Sequence, residues 1–586
     1  MRYAVAIALI VVLSPFSGIV SGEYEQDGID NFESTSIMES YSIPVQLAFD
    51  RAEDISRYSE DEILSTKEWL VVTGIPLKEH TKSLSNPISS IETKVLPGSY
   101  IWELEDGVKA VETLTKAMEI GEIESFSPLI ETEHTKKFYP NDPEFGSQWH
   151  LENSGQTGGL SGEDANLTGA WNSFNGSGVV ISIVDDGLDI SHPDIAPNYD
   201  QSASYDWCND DSDPTPLSFD GHGTAAAGVA GATGNNSIYV SGAAFGASLA
   251  GSTLIACSIN DFDESQALSY ENDYIDIYSN SWGPSDTGGI LDGPGPLMTA
   301  AFENDIFQGR DGLGNIITWA AGNGLTNDDD SNYDGYANSR YTIAVTAITH
   351  LGEQSYYAEP GANILVASHS NGDGAAITTT DIVGSGGYNS SGNVTDTFGG
   401  TSSATPLVSG IIALMLEANQ NLTWRDVQHI LVNTARVNDP ADSSWEINGA
   451  GHDVSHKYGF GAVDASAAVA MSSNWTTVED EVNVSIGPMN SNFDLGDGIS
   501  GWDDFNITVT DDLAIESVDV VVDISHDYRG ELEIVLVSPS GKESWLAEER
   551  SDSGDDYDNW TFNTVHHWDE SSLGEWQLRI RDGNSG

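Results

Sequence analysis

The chain has 586 residues, of which 92 are acidic and 21 basic, giving a formal net charge of −71. Such a charge argues against nucleic acid and anionic membranes as partners, because both would repel the protein. The length is sufficient for several domains with a substantial core. Two cysteines, Cys208 and Cys257, permit one disulfide, but the sequence leaves open whether they pair.

The first residues have the layout of a secretory signal peptide. Arg2 precedes an apolar run from residue 4 to 13, and the small residues Ser21 and Gly22 follow it. A membrane anchor is the alternative for this run. We expect residues 1–22 to be a signal peptide and the protein to be secreted or held at the cell surface.

The next part of the chain falls into a weakly patterned segment and a small folded unit. Residues 23–65 are acidic and rich in serine, which predicts a poorly ordered lead-in. From about residue 66 the pattern predicts an α+β unit with strands at 69–72, 99–102 and 122–129 and a helix at 108–120. The unit stops at Lys136 and Lys137, and an extended, accessible stretch follows.

Three segments then carry residue types that can activate a nucleophile. A buried strand at 179–184 ends in Asp185, His222 opens a helix of small residues, and Ser402 lies at the start of an apolar helix. A serine hydroxyl attacks at neutral pH only if an imidazole takes its proton and a carboxylate orients the imidazole. Each motif alone is compatible with an ordinary turn or helix cap, but the order Asp, His, Ser is the order known from subtilisin.

A fourth segment supplies a hydrogen-bond donor for the same chemistry. Another buried strand, at 316–321, leads into Asn323, which lies between two glycines. The amide of Asn323 could donate to the oxyanion of a tetrahedral intermediate. The four segments together predict a serine hydrolase site.

The spacing of elements predicts two further domains. From about 149 to 472, buried strands at 179–184, 275–279, 316–319 and 342–348 alternate with helices, which is typical of an α/β domain with a parallel sheet covered on both faces. Beyond residue 475 the pattern changes to short strands of period two, for example 517–522 and 532–537. This predicts a separate all-β domain.

From about residue 141 to its end the chain resembles the kexin and furin-like proprotein convertases of the subtilisin superfamily. The run Tyr-Ser-Asn-Ser-Trp-Gly-Pro at 278–284 and the stretches 410–419 and 422–429 carry the resemblance in the α/β part. Residues 536–541, 566–570 and 574–576 are similar to the P domain of that family, which ordinary subtilisins lack.

The resemblance implies a domain plan. It consists of a signal peptide (1–22), a propeptide (23–137, ordered from about 66), a catalytic domain with a subtilisin-like doubly wound parallel sheet (138–474), and a jelly-roll-like P domain (475–586). The family's P domain continues with further strands beyond the equivalent of Gly586, so we expect this one to be incomplete. The propeptide would act as folding helper and inhibitor, and Lys136-Lys137 would be the self-processing site.

The resemblance also assigns roles to site residues. Ser402 would attack the scissile carbonyl, His222 would act as general base and then acid, Asp185 would hold the imidazole, and Asn323 would join the oxyanion hole. Acidic positions matching the convertases would bind a substrate with lysine or arginine before the cut. They are Asp286 and Asp334 for the first basic residue, Asp186 for the second, and Glu264 with Asp292 for one further upstream. Asp220, just before the Gly-His pair, is a further candidate substrate contact.

Two departures and one alternative qualify this assignment. Phe219 stands where the family has an acid just before the histidine, which leaves selection at the second subsite open, and Ser285 replaces a family glutamate. In so acidic a chain, ordinary surface charge is the alternative explanation for each of these carboxylates.

Calcium is the cofactor that the resemblance implies, because hard oxygen ligands grouped in loops suit that ion. Three sites are expected. Their ligands would be Asp142, Asp194 and Asn236 in the first, Asp206, Asp211 and Asp213 in the second, and Asp286, Asp329 and Glu359 in the third. The second is also visible as an acidic run within residues 206–213, for which a solvated loop without an ion is the alternative.

The sequence thus predicts a secreted, monomeric, calcium-dependent serine endopeptidase that cleaves proteins or peptides after paired or single basic residues. Two alternatives remain open. One is a secreted subtilisin-like protease of broad specificity. The other is an inactive homologue that uses its β domain to bind a surface.

Overall fold

The computed structural model describes residues 3–14, parts of 37–73, and 87–104, 107–130, 138–493, 495 and 501–583. The chain divides into two compact units, one of residues 19–136 and the other of residues 1–18 with 137–586. The first strand, β1 (Tyr3–Ser14), belongs to the larger unit. Lys136 and Lys137 lie outside the described residues, so processing at this pair stays a prediction.

The smaller unit has the α+β character that its sequence pattern predicts. Its elements in chain order are α1 (Glu60–Ser65), β2 (Glu68–Val72), β3 (Ser89–Glu92), β4 (Ser99–Glu103), α2 (Gly107–Glu119) and β5 (Ser125–Pro128). The strands form an antiparallel sheet in the order β3-β4-β2-β5. Order begins before residue 66, because Ile63 of α1 is buried in one core with Trp69, Leu114 and Phe126. The structure thus adds α1 to the strands and helix that the sequence pattern predicts for this unit.

A seven-stranded sheet forms the centre of the larger unit. Its strands are β6 (Val180–Asp185), β7 (Tyr205–Asp206), β8 (Ser248–Thr253), β9 (Ile277–Asn280), β10 (Ile316–Ala320), β11 (Thr342–Ile348) and β12 (Ile364–His369). They lie in the order β12-β11-β10-β9-β6-β8-β7, and every neighbouring pair is parallel. From β6 the chain first forms β7 and β8 on one side, with β7 at the edge, and then adds β9 to β12 in succession on the other side, so the predicted doubly wound sheet is confirmed. A crevice forms outside the carboxyl ends of the strands at such a reversal.

Helices and two short ribbons complete the α/β domain. They are α3 (Leu167–Ala170), α4 (His222–Gly231), α5 (Asp261–Leu268), α6 (Pro296–Gly312), α7 (Thr401–Ala418), α8 (Trp424–Thr434) and α9 (Ala465–Ser472), with the ribbons β13 (Ile377–Thr380)–β14 (Val394–Phe398) and β15 (Trp445–Ile447)–β16 (Asp453–Ser455). Among the described residues, α7 alone is long and apolar enough to cross a membrane. Residues 401–416 of α7 are buried and pack along β6 and β9 to β12, which makes α7 a core helix.

The β domain consists of two four-stranded antiparallel sheets. Its own strands are β17 (Val482–Phe493), β18 (Asp503–Val509), β19 (Ala514–Ile524), β20 (Leu532–Val537), β21 (Glu543–Ala547), β22 (Tyr557–Thr564) and β23 (Gly574–Asp582). The sheets have the orders β17-β1-β19-β22 and β18-β23-β20-β21. The predicted all-β domain is thus confirmed. The segment predicted to be a signal peptide forms β1 between β17 and β19, and its role in export stays a prediction.

The two cysteines, left open by the sequence, form a disulfide. Cys208 follows β7 and Cys257 follows β8, and the bond joins residues that are 49 positions apart in the chain. Cys208 lies inside the acidic run at 206–213, so the disulfide ties that loop to the segment after the neighbouring strand.

A buried ion pair joins the α/β domain to the β domain. The carboxylate of Glu516, in β19, accepts hydrogen bonds from Arg425 at 2.5 and 2.8 Å, and it lies 2.7 Å from Nε2 of His429. Both partners belong to α8. Burial disfavours the charged carboxylate, but hydrogen bonds from His429 and Arg425 outweigh it and lower the pKa of Glu516 to about 2. Glu516 therefore stays ionised at neutral pH.

We expect Glu516→Gln to destabilise the protein by about 3 kcal/mol or more, because it leaves the buried Arg425 charge without its partner. Urea unfolding followed by tryptophan fluorescence measures the loss. Glu543→Gln is the matched control, since Glu543 bonds Arg579 at 2.9 Å with both side chains partly exposed. Loss of that bond should cost under about 1 kcal/mol. Equal effects of the two substitutions would contradict the expectation.

Candidate active site

The carboxyl edge of the parallel sheet gathers the four segments that the sequence singles out. β6 ends at Asp185, and β10 leads through Gly322 into Asn323. α4 begins with His222, and α7 begins one residue before Ser402. These positions follow from topology, since all parallel strands present their carboxyl ends at one edge.

Asp185 and His222 form the base of the site. Nδ1 of His222 lies 2.9 Å from both carboxylate oxygens of Asp185, which is only 1% exposed. Burial lowers the pKa of His222, but the charge and hydrogen bond of Asp185, together with the charge of Asp186, outweigh burial and raise it to about 9. With Nδ1 held by Asp185, Nε2 is the nitrogen that can exchange a proton with a nucleophile.

Asp186 supports the helix that carries this base. Its carboxylate oxygens accept the backbone N–H groups of His222 at 3.1 Å and Gly223 at 2.7 Å, in the first turn of α4. Burial and the charge of Asp185 raise the pKa of Asp186. The sequence predicts Asp186 only as a substrate contact and does not reveal this structural role.

Ser402 lies in the first turn of α7, behind a sharp bend. Gly400 has a φ of +78°, a left-handed conformation that favours glycine. Ser402 is 9% exposed, and its hydroxyl donates to the carbonyl of Ser281 at 3.4 Å. Among the described residues no hydrogen bond joins it to His222. Such bonds are often loose without substrate, and rotation of the serine side chain changes its partner.

Asn323 is oriented by the same helix start. Its side-chain oxygen accepts the backbone N–H of Thr401 at 2.8 Å and the Thr401 hydroxyl at 3.0 Å. This orientation turns the NH₂ group away from Thr401. Asn323 and Ser402 line one cavity, so the amide is placed to donate beside the nucleophile.

The cavity next to Ser402 has a volume of about 220 Å³ and carries two carboxylates, Asp286 and Asp334. Burial and the charges of Asp286 and Asp329 raise the pKa of Asp334 to about 8. Burial also raises the pKa of Asp286, against hydrogen bonds from Asn323. Neither acid forms an ion pair with another described residue, so the cavity suits a positively charged group.

The structure also reveals how Gly283 keeps this cavity open, which the sequence alone does not show. A Cβ atom at Gly283 would lie 2.7 Å from a carboxylate oxygen of Asp334. Asp334 itself is fixed by the backbone N–H of Tyr336, which donates to it at 2.8 Å. A larger residue at 283 would therefore crowd the acid.

Glu264 and Asp292 lie near the same tyrosine. The carboxylate of Glu264 accepts the hydroxyl of Tyr336 at 2.9 Å, while Asp292 is exposed and its backbone pairs with that of Asp334. Burial raises the pKa of Glu264, and the nearby acids Asp261 and Asp292 add to the rise. The two predicted upstream contacts are thus close enough to interact electrostatically.

On the histidine side of the cleft, Phe219 is 76% exposed. Asp220 is partly buried, and its Oδ2 has no hydrogen-bond partner among the residues that the structure describes. Burial raises the pKa of Asp220. The exposed ring of Phe219 thus lies three residues before His222. This is the position for which the sequence leaves the residue preference of the second subsite open.

The first predicted calcium group is assembled. The carboxylate of Asp142 accepts the backbone N–H groups of Asn235, Asn236 and Ser237 at 2.6–3.1 Å. The side-chain nitrogen of Asn236 donates to Asp194 at 2.9 Å. Burial raises the pKa of Asp194, and the charge of Asp142 contributes to the rise. The amide nitrogen of Asn236, rather than its oxygen, faces Asp194.

The second group lies in one loop but uses its oxygens internally. Asp206 is buried, and its carboxylate accepts the backbone N–H groups of Cys208 and Asn209 at 2.8 and 2.9 Å. Asp211 and Asp213 are exposed and cap their own turns. Local donors thus satisfy much of this acidic run, and the geometry favours neither an ion nor the solvated loop.

The third group fits a cation best. Burial and the charges of Asp329 and Asp286 raise the pKa of Glu359 well above its usual value, and burial raises that of Asp329. The three carboxylates surround a glycine turn: a Cβ at Gly322 would lie 2.3 Å from the Glu359 carboxylate, and one at Gly324 would lie 2.6 Å from the Asp329 side chain. Hard oxygen ligands converging on such a cradle suit calcium.

A residue of the β domain, Arg550, reaches this group without any sequence signal. Its guanidinium lies 3.4 Å from Asp329 and 3.4 Å from the ring centre of Tyr333, and it donates to the carbonyl of Ile290 at 3.0 Å. Asp329 and Arg550 are 221 positions apart in the chain, so no local pattern links them.

The arrangement of these residues can perform nucleophilic acyl transfer. Ser402 can provide the nucleophile, His222 can take and return the proton, and the buried charge of Asp185 can stabilise the imidazolium. Asn323 can donate to the oxygen that becomes negative in a tetrahedral intermediate. The cavity that contains Asp286 and Asp334 lies beside these residues.

We expect Asn323→Ala to lower kcat by about 10²–10³-fold with little change in KM, because its donor acts on the oxyanion and not on the bound substrate. Steady-state hydrolysis of a fluorogenic peptide measures both constants. Ser402→Ala gives the background rate, and an unchanged melting temperature excludes unfolding. A loss of less than tenfold would contradict the role of Asn323.

We expect Asp186→Asn to move the acidic limb of the kcat/KM profile to lower pH by about one unit. The base must be neutral, and removing one of the two charges that raise the His222 pKa lets the imidazole lose its proton at lower pH. A substrate without a second basic residue separates this effect from substrate binding. Asp220→Asn is the matched control and should leave the limb in place, and the same limb in Asp186→Asn and the wild type would contradict the assignment.

Comparison with known proteins agrees with this geometry. The model of the subtilase family matches residues 176–461, and that of the proprotein convertase P domain matches residues 515–586. Proprotein convertase subtilisin/kexin type 6 of Rattus norvegicus is 40% identical over 465 residues, covering 76% of this chain and 48% of that protein. Furin of Homo sapiens is 39% identical over 459 residues, covering 76% and 56%. The chain thus spans about half the length of the curated relatives it matches.

A solved structure shows the same architecture. The serine protease of Aeromonas sobria superimposes with a TM-score of 0.71 at 26% identity, covering 78% of this chain and 91% of that one. Because the two matched segments coincide with the parallel-sheet domain that carries Asp185, His222 and Ser402 and with the β domain that follows it, the chain belongs to the subtilase family and carries a P domain of the kind found in proprotein convertases.

Proposed function

We propose that this protein is a secreted, calcium-dependent endopeptidase that cleaves proteins and peptides after paired or single basic residues. The observation that carries the proposal is the cavity beside Ser402. Two partly buried carboxylates, Asp286 and Asp334, face it without a cationic partner among the described residues. A lysine or arginine side chain of a substrate supplies the missing charge.

The physical basis is the cost of leaving these acids unpaired. A basic side chain in the cavity forms charge-assisted hydrogen bonds with Asp286 and Asp334 in surroundings where water screens little. A neutral side chain of similar size displaces the same water and leaves both acids without a partner. The cavity therefore discriminates by charge more than by shape.

Further acids extend the preference upstream of the cut. Glu264 and Asp292 would bind a basic residue beyond the second, and Asp186 with Asp220 would bind the second itself. Asp186 already holds the backbone of His222, so its charge is shared between helix and substrate. The exposed ring of Phe219 makes this subsite part apolar, which favours cleavage after single as well as paired basic residues.

Calcium fits the third group most closely. Asp286, Asp329 and Glu359 would hold the ion and neutralise their mutual repulsion, and Asp286 would belong to both this site and the substrate cavity. The first group, Asp142, Asp194 and Asn236, and the second, Asp206, Asp211 and Asp213, would stabilise outer loops.

Maturation by self-cleavage follows from the same specificity. Lys136-Lys137 stands between the small α+β unit and the catalytic domain, and cleavage there would leave Phe138 as the new N terminus. The small unit would remain as an inhibitor until it is released. Export fits the N-terminal apolar segment and the disulfide between Cys208 and Cys257.

We expect Asp334→Asn to lower kcat/KM for peptides with a single arginine before the cut by about 10²-fold or more, because one buried charge of the pair is lost. Rates on peptides with a neutral residue at that position should change little. A peptide library read by mass spectrometry measures all positions at once. Asp292→Asn is the matched control and should affect only substrates with a further upstream basic residue.

The wild-type protein in the same assay tests the proposal as a whole. Chelation by EGTA should abolish turnover, and added calcium should restore it. Equal wild-type rates on neutral and basic peptides would contradict basic specificity, and full activity in EGTA would contradict calcium dependence.

A further inference from the structure

Three metal-ligating side chains meet where the catalytic domain contacts the P domain, outside the active site. Asp330 precedes a short helical turn (Ser331–Tyr333), His456 follows β16, and Glu548 follows β21 of the P domain. One ligand atom of each residue lies within 4.8 Å of the other two. They come from parts of the chain that are 92 or more positions apart, so no local sequence requirement brings them together.

The distances suit a shared ion. Nε2 of His456 lies 3.0 Å from a carboxylate oxygen of Asp330 and 4.0 Å from one of Glu548. Zinc takes imidazole nitrogen and carboxylate oxygen at about 2.0–2.2 Å, so ligands around one ion stand about 3–4 Å apart. Two carboxylates and a neutral imidazole carry two negative charges, which a divalent cation balances.

Neighbouring groups hold two of the three ligands in place. The second oxygen of Asp330 accepts the backbone N–H of Asn332 at 2.8 Å. The backbone N–H and carbonyl of Glu548 bond the hydroxyl of Tyr333 at 2.9 and 3.1 Å. Supporting hydrogen bonds of this kind orient metal ligands before the ion arrives.

The third ligand, His456, packs against the buried imidazole of His566. His566 is 3% exposed, its ring centre lies 5.8 Å from that of His456, and neither of its nitrogens has a hydrogen-bond partner in the described parts of the chain. A buried polar ring without a hydrogen-bond partner lowers the stability of the folded protein, because its desolvation is not compensated. Asp330 is buried while Glu548 is 51% exposed, so the cluster is open to solvent on one side, which gives an ion a path of entry.

We propose that Asp330, His456 and Glu548 form a binding site for a zinc-class divalent metal ion that links the catalytic domain to the P domain. The imidazole donor distinguishes the site from the all-oxygen calcium groups, because nitrogen ligands favour transition metals over calcium. The ion bridges two domains, so its binding stabilises their contact.

Zinc titration of the calcium-loaded protein, followed by calorimetry, tests the site. We expect one equivalent of zinc to bind in the wild type and to raise the melting temperature. Cobalt in its place should give the visible absorption of a nitrogen-coordinated tetrahedral ion. His456→Gln and Glu548→Gln should each weaken this equivalent by at least about 100-fold, since even a supporting hydrogen bond is worth 10–100-fold.

The controls separate this site from other acids of the surface. His452→Gln is the matched variant, because His452 pairs with Asp569 at 2.8 Å and the described part of the chain offers no third ligand there, and it should leave zinc binding unchanged. Glu548 is exposed, so Glu548→Gln reports on the site even if His456→Gln fails to fold. Equal zinc stoichiometry and affinity in the wild type and Glu548→Gln would overturn the proposal, as would a cobalt complex without nitrogen coordination.

Discussion

Repulsion among carboxylates that the fold holds together is the physical constraint on which the rest of the structure depends. Asp286, Asp329 and Glu359 surround the glycine turn at residues 322–324, and Asp334 lies beyond Asp286. Burial raises the pKa of each of them, and the charges of neighbouring acids add to the rise for Asp329, Asp334 and Glu359. Such a group remains ionised only with cations close by. Calcium and the basic side chain of a substrate are the two cations of the proposed function, and Asp286 would serve both.

The same turn connects this charge cluster to the chemistry at Ser402. Glu359 accepts the backbone N–H of Gly324 at 2.7 Å, and Asn323 is the residue immediately before it. The oxygen of the Asn323 side chain is in turn fixed by Thr401, next to the nucleophile. The position of the oxyanion donor therefore depends on carboxylates whose repulsion must be neutralised. In the proposed function, cation binding and rate enhancement would therefore depend on one segment of backbone.

The catalytic residues could be predicted from the sequence because each lies next to a strong local pattern. Asp185 ends an apolar strand, His222 opens a helix of small residues, and Ser402 begins an apolar helix. The parallel sheet was predictable for the same reason, since its buried strands are continuous apolar runs. Local pattern carries no distance information, and this is why the disulfide between Cys208 and Cys257 stayed open.

Residues that act across the fold had no such signal. The sequence shows Asp186 as an acid in a turn. Its hydrogen bonds to the first turn of α4 depend on the packing of β6 against that helix, which no local pattern indicates. The early start of order in the small unit depends on Ile63, which is buried only because α1 folds onto Trp69. Arg550 is an extreme case, because its partners belong to another domain and only the assembled structure brings them together.

The contact made by Arg550 explains why the P domain matters to the site electrostatically. Among the described residues, Arg550 is the only lysine or arginine that forms an ion pair with any of the four carboxylates around the turn. Its side chain is 1% exposed and held by Asp552 at 2.6 Å, so water screens its charge little and the guanidinium cannot swing away. A catalytic domain without the P domain would keep all four acids and lose this positive charge. The P domain therefore supplies a fixed cation at the point where the catalytic domain has an excess of negative charge, in addition to apolar contact area.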